Sequence, residues 1–315
     1  MNYPQQRRGS PFAARLLPIA IGLVGVAVFM MSSCTTGPFG RNQLRAINEE
    51  QEDKLGLEAF QQVVAENQAK RTLVNQNDPL VVKVRDITVK LIEAARRDDV
   101  LKHFQLTEDN FKWAVEVIDS PQANAFCLPG GKMVVYTGIL PIAETDAALA
   151  AVIGHEISHA LAHHGAERMA MEQVKQMGIG SVGMGISDMD PAQQRMVLAA
   201  IGMAANYAGT LPYSRRDESE ADRMGLVLMA AAGYDPREAV GFWERMKTAG
   251  GASGVPEFMS THPGHETRIG QLRDLQTEVA PFYASSKKQT TMPLPGVGSG
   301  GARNVEPARG RGFGF

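Results

Sequence analysis

"HEISHALAHH", His155 to His164, places four histidines and a glutamate within ten residues of a chain that holds seven histidines in all. It lies inside a longer run, "ETDAALAAVIGHEISHALAHHG", whose composition and apolar spacing predict a helix. Thr145 or Asp146 can cap the start of that helix and Gly165 can close its end. His155 and His159 then share one face, one turn apart. Both imidazoles can reach a single ion at about 2.0–2.1 Å, the usual zinc–nitrogen distance. Glu156 sits about 100° further round, beside the ion rather than on it, where a general base belongs.

His163 falls about 12 Å beyond His155 along a straight helix, too far for one ion to bridge. In the extended form of this motif the helix stops early and turns back, which requires glycine at 162 and histidine at 165. The chain has Ala162 and Gly165. His163 and His164 therefore read as helix C-terminal donors that suit the free carbonyls and the dipole. A catalytic zinc needs a third protein ligand and an open position. His103, His262 and His265 remain, or a carboxylate from another helix. "SRRDESEADRMG" (214–225) offers Glu218 and Asp222, one turn apart on the same face. Most such acidic pairs form a solvated surface. Beside an H-E-x-x-H that lacks its third ligand, the preferred reading makes Glu218 the ligand. Asp222 then accepts the Nδ1–H of a ligand histidine and fixes its tautomer.

Composition sets the outer bounds. The 315 residues are 44% hydrophobic and 21% charged, ordinary for a globular chain. A net charge of −2 provides no general attraction to nucleic acid. Three arginines near the terminal "ARGRGFGF" make too thin a patch to change that. There is no self-similar repeat of tetratricopeptide or solenoid length.

The N-terminus reads as a targeting segment. Arg7, Arg8 and Arg15 precede the uncharged run "LLPIAIGLVGVAVFMM" (16–31), which is short for a bilayer span. "MSSC" follows, and resembles a bacterial lipobox with Met31 in place of leucine. Residues 1–33 are expected to be a lipoprotein signal peptide, and residues 34–40 a linker lipidated at Cys34. An uncleaved signal anchor or a plain secreted form remain the alternatives. Thr35 after Cys34 resembles the outer-membrane sorting signal of a Gram-negative cell. With Cys34 lipidated, Cys127 has no disulfide partner and is expected to be a small buried hydrophobe.

Further elements follow from periodicity. Helices are expected over 41–67, 78–97 (Asp78 as N-cap, Pro79 at N1), 214–233, 235–251 and 265–279. A strand is expected over 111–120, and a hairpin over 124–140 through "PGG". The Gly/Met-rich stretch 177–189 breaks the helical pattern; it reads either as a mobile lid or as a packed hairpin. From 284 to 315 the chain is a Gly/Pro/Arg tail without periodicity, expected to be disordered. The domain between them, 41–283, is mainly helical α+β, with a small antiparallel sheet or hairpin beside the H-E-x-x-H helix.

Four blocks between about 120 and 275 resemble one family. They are "NAFCLPGGKMVVYTGIL", "AAVIGHEISHALAHHG", "YSRRDESEADRMG" and "STHPGHETRI". Together they are similar to the HtpX-like and CAAX prenyl protease-like (Ste-type) zinc metallopeptidases, gluzincins of zincin-like fold. Within that group the resemblance is to the soluble lipoprotein branch related to Oma-type proteases. It implies one zinc per chain on His155, His159 and Glu218, Glu156 as general base and Asp222 behind the ligands. The His-Pro block brings His262 near the metal, where it stabilises an oxyanion, ligates zinc in a closed latent state, or caps a loop. Tyr213 is a weaker choice for the oxyanion. A substrate strand is expected to add to the edge offered by Asn124, Ala125 and Phe126. The implied activity is endopeptidase cleavage of unfolded or misassembled cell-envelope proteins, by a periplasm-facing lipid-anchored enzyme. The alternative is a latent or non-catalytic, metal-stabilised chaperone. Oligomeric state is not readable from the sequence.

Overall fold

A computed structural model describes residues 11–185, 190–191, 214–249, 256–262 and 267–296. The helices are α1 (Pro11–Ser32), α2 (Glu49–Lys70), α3 (Pro79–Ala95), α4 (Asp98–Phe104), α5 (Leu140–Ala143), α6 (Asp146–Leu161) and α7 (His164–Gly185). They continue with α8 (Arg215–Ala231), α9 (Arg237–Ala249), α10 (Glu257–Thr261), α11 (Arg268–Asp274) and α12 (Gln276–Ser285). The strands are β1 (Cys34–Thr36), β2 (Asn42–Leu44), β3 (Ala114–Ile118), β4 (Ala125–Leu128) and β5 (Lys132–Tyr136). The mainly helical α+β class is as the sequence predicts.

The chain divides into two compact units. The smaller comprises residues 1–36, 42–46 and 166–211. In it β1 pairs antiparallel with β2, Cys34 opposite Leu44. Gly22 of α1 packs so tightly on α7 that a Cβ there would run into Ser181. Leu17, Ile21, Val24 and Met31 of α1 are exposed. No helix among the described residues is long and apolar enough to cross a membrane.

The larger unit carries the core. Its sheet has the order β3-β5-β4 and is mixed rather than antiparallel: β4 and β5 form the expected hairpin, but β3 runs parallel to β5. Strand alternation sorts the two faces. Val115, Val117, Ala125, Cys127, Met133 and Val135 face the main core with α3 and α6. Ile118 and Val134 face Phe60 of α2. Gly130 and Gly131, at φ +71° and +79°, make the hairpin turn where Cβ atoms would strike Asp53 and Trp113.

Every residue of α6 is buried, which explains a helix apolar nearly all round. Thr145 caps it through Oγ1, which accepts the Ala148 N–H at 3.2 Å. Its closest neighbour is α8, and glycines let the backbones touch. A Cβ on Gly225 would sit 2.9 Å from the His155 backbone nitrogen, and one on Gly154 3.1 Å from the Gly225 carbonyl.

Several sequence expectations need correction. The helix expected over 41–67 begins only at Glu49, because Asn48 forms a capping box with Gln51, and Asn42–Leu44 is a strand. Helix α6 ends at Leu161 rather than near Gly165. His163 adopts φ +52° there, and His164 opens a new helix. The stretch from 177 to 185 continues α7 as regular helix; residues 186–189 lie outside the described residues. The closing helix is two, α11 and α12. Residues 285–296 stay on the fold. The Asp146 N–H donates to Met292 O at 2.9 Å, the Leu294 N–H donates to Glu144 O at 2.9 Å, and Leu294 is buried. This returning segment satisfies backbone groups ahead of α6; residues 297–315 of the expected tail lie outside the described residues.

Candidate metal centre

Four buried side chains from three places in the chain converge: His155 and His159 of α6, Glu218 of α8, and His262 at the end of α10. His155 Nε2 lies 3.1 Å from His159 Nε2 and 3.3 Å from His262 Nδ1. Glu218 Oε2 is 3.4 Å from His155 Nε2, and its Oε1 is 3.5 Å from His159 Nε2 and 3.0 Å from His262 Nδ1. Four ligand atoms placed tetrahedrally around zinc at its usual bond lengths would be about 3.3 Å apart. The donor set points the same way. His155 and His159 each commit Nδ1 to a partner behind them, which turns both Nε2 atoms on one point. Imidazole lone pairs gathered this closely call for a cation, so the residues present fit a metal.

Each ligand is held from behind. Ser214 caps α8 with a capping box to Asp217, which sets the first turn that carries Glu218. Asp222 Oδ1 lies 3.0 Å from His155 Nδ1, the tautomer-fixing contact expected from the one-turn spacing. Arg268 was not anticipated. Its Nη1 donates to Glu218 Oε2 at 3.0 Å and its Nη2 to Asp222 Oδ1 at 2.5 Å, while its guanidinium lies 3.6 Å from the centre of the Trp243 ring. The "HETRI" block contains it, but an arginine far along the chain carries no metal-site signature of its own.

His164 was also misplaced by the straight-helix argument. The left-handed turn at His163 folds the chain back, so His164 Nδ1 lies 2.8 Å from His159 Nδ1. Its Nε2 lies 2.8 Å from Glu220 Oε2. His163 instead places Nδ1 2.8 Å from Glu52 Oε2.

Glu156 is buried beside the ligand set. Its Oε2 accepts the Cys127 N–H at 3.2 Å, and its Oε1 is buried with no hydrogen-bond partner. His262 Nε2 lies 3.4 Å from that oxygen. Burial raises the Glu156 carboxyl above the usual range; His262 and His155 oppose this and Glu218 adds to it. Burial also works against a charge on Glu218, but hydrogen bonds from His155, His159 and His262 hold its carboxyl far below the usual range.

The expected edge is present. The Tyr136 N–H donates to Asn124 O at 3.1 Å, so Asn124 and Phe126 bond to β5, and alternation turns the backbone groups of Ala125 and Cys127 away from β5, where Glu156 Oε2 takes the Cys127 N–H. The Ala125 N–H is met by Asn124 Oδ1 at 2.9 Å. Cys127 is buried; burial first, then the Glu156 charge, pushes its thiol up, so it is no nucleophile. Cys34 is an exposed free cysteine. His103 pairs with Glu278, away from the ligand set. Tyr213 and His265 lie outside the described residues.

This geometry agrees with the comparisons. The chain is 32% identical over 227 residues to mitochondrial metalloendopeptidase OMA1 of Saccharomyces cerevisiae, covering 70% of this chain and 62% of that protein. It is 31% identical over 260 residues to human mitochondrial metalloendopeptidase OMA1, covering 80% and 48%. It is 27% identical over 216 residues to the beta-barrel assembly-enhancing protease of Escherichia coli, covering 67% and 42%. The chain thus spans less than two thirds of the length of each of these relatives. Residues 88–276, which contain all four converging side chains, match the model of peptidase family M48, and the chain belongs to that family.

Proposed function

We propose that the chain is a zinc endopeptidase that hydrolyses unfolded or misassembled proteins of the cell envelope. The observation that carries this reading is Glu156 Oε1, buried without a hydrogen bond beside four converging ligand atoms. His155, His159 and Glu218 would hold the metal. Zinc there supplies a Lewis acid that polarises the scissile carbonyl and lowers the pKa of water toward about 7.

The chain's own residues do the rest. Glu156 takes the proton of the attacking water at Oε1 and returns it to the leaving amine nitrogen. Its raised pKa suits both directions of transfer. A substrate strand adds along β4 at Asn124, Ala125 and Phe126, which brings its carbonyl toward Glu156. Backbone pairing of that kind reads little side-chain sequence, as an enzyme for unfolded chains requires. His262 Nε2, close to Glu156, is placed to stabilise the oxyanion. Membrane attachment is through Cys34, on the periplasmic side, a reading that rests on the lipobox-like residues before it.

A second reading has one observation in its favour. His262 Nδ1 stands among the ligand atoms, where a fourth ligand would close the site. In that reading the described state is latent, and activation moves His262 away. Zinc stoichiometry and cleavage of an unfolded protein, measured together, test the first reading. Activation by His262→Ala would support the second, and a wild type already fully active would contradict it.

A further inference from the structure

We infer that Arg41, Glu220 and His164 form a positioning relay that fixes the tautomer of His159, and that the segment 37–41 is therefore part of the metal centre. The inference rests on the proposed metal reading only for its consequence, not for its geometry.

The direction of the relay follows from which atoms can donate. Arg41 has donors only. Its Nε donates to Glu220 Oε1 at 2.9 Å and Oε2 at 2.8 Å. Glu220 Oε2 also lies 2.8 Å from His164 Nε2. A carboxylate accepts, so His164 Nε2 carries the hydrogen. The neutral ring then presents a lone pair at Nδ1, 2.8 Å from His159 Nδ1. His159 must donate there, which leaves its Nε2 bare and aimed at His155 Nε2 and Glu218 Oε1. With His164 neutral, one proton order satisfies these contacts, and it is the order that a ligand needs.

The relay is built, not incidental. His164 is fully buried, and Glu220 is 9% exposed. A buried carboxylate of this kind persists only when paired. The turn that carries Arg41 is closed by its own backbone, Arg41 N–H donating to Pro38 O at 3.2 Å and Gly37 N–H to Arg41 O at 2.8 Å, and it is anchored through Phe39. Phe39 takes a left-handed backbone, φ 54°, and meets the rings of Phe104 at 5.7 Å and His103 at 5.8 Å, with the Arg223 guanidinium 3.9 Å from its own ring centre. Arg223 is in turn fixed by Glu278 at 2.8 Å. The other helix ligand has the same logic in a shorter form: Asp222 contacts His155 directly and Arg268 neutralises Asp222. In the longer arm an imidazole is interposed, so the order depends on the far end. An amide at 220 can accept or donate, and would let both rings flip together. His159 would then place its hydrogen on Nε2, where the metal belongs.

The experiment uses the full-length chain labelled with 15N, first metal-free. Imidazole 1H–15N spectra are expected to show His159 as the Nδ1–H form and His164 as the Nε2–H form. Glu220→Gln and Arg41→Met should give mixed tautomers at both rings, and Arg41→Lys should restore part of the wild-type pattern. Zinc titrated against a competing chelator should bind about 10- to 100-fold more weakly to the first two variants. A wild-type His164 in the Nδ1–H form would overturn the inference without any variant. So would wild-type tautomers and unchanged zinc affinity in folded Glu220→Gln and Arg41→Met. Correct tautomers in a wild type that binds no zinc would sustain the relay and defeat the zinc reading instead.

Discussion

Gly225 lies against His155: a Cβ on the glycine would sit 2.9 Å from the histidine's backbone nitrogen and 3.1 Å from its Cα. The contact is backbone to backbone, so no side chain can swing away to relieve it. Gly225→Ala should push α8 from α6 and separate Glu218 from the two histidines. We expect about 1–3 kcal/mol of destabilisation from overpacking, read as a lower Tm. Zinc affinity should fall with it. Unchanged stability and affinity would mean that the two helices are free to spread.

Arg268 neutralises two buried carboxylates at once, Glu218 and Asp222. Removing it strands both. Arg268→Met should cost the metal-free protein about 3–5 kcal/mol, the usual penalty for breaking a buried pair. Zinc, a second source of positive charge at Glu218, should recover part of that loss. Thermal melts with and without zinc check this; equal destabilisation in both conditions would contradict it.

The metal-free protein should carry a pH signature. Burial lowers the affinity of His155 for a proton, but Asp222 and Glu218 outweigh it and raise its pKa to about 9. A raised folded-state pKa stabilises fully below the unfolded value of about 6.5 and is lost as pH rises. Asp222 is held low: burial opposes this, and Arg268 and His155 overcome it. Its contribution is present above about pH 4 and lost below. Chelator-treated protein should therefore lose stability between about pH 6.5 and 9. Zinc must displace the same proton, so its affinity should rise across that interval. Denaturant melts and chelator competition at several pH values measure both, and a flat profile in either would count against the assignment.

Cys127 supplies a simple accessibility check. Burial and the Glu156 charge keep its thiol protonated well past its ordinary range. Iodoacetamide at pH 8 should leave Cys127 unmodified in the native protein and alkylate it after denaturation, as peptide mass spectrometry would reveal. Rapid native alkylation would show that the β4 edge opens.

Much of this site was legible in the sequence because its signals are local. His155, Glu156 and His159 follow from helical spacing, and Glu218 with Asp222 from one turn of another helix. The Asp222 contact to His155 Nδ1 is as that spacing implies. The misreadings share one physical origin. His163 turns left-handed where a straight helix was assumed, and that single dihedral brings His164 under His159. A histidine in that conformation leaves no mark as clear as a glycine would. Arg268, Glu220 and Arg41 are joined to the site only by tertiary contacts, so no periodicity reveals them. The parallel pairing of β3 with β5 is likewise a long-range choice, invisible in a strand's own alternation. Residues 286–294 lack periodicity yet dock, because unsatisfied backbone groups ahead of α6 offer partners.

The most direct test of the central claim is Glu156→Gln. Zinc content and cleavage of unfolded casein should be measured on the same preparations, with wild type activated if it proves latent. Glu156 is not among the ligand atoms, so the variant should retain one zinc per chain. Its cleavage rate should fall by about 10²- to 10⁴-fold, the usual worth of a general base. A variant that keeps its zinc and cleaves casein at the wild-type rate would contradict the mechanism.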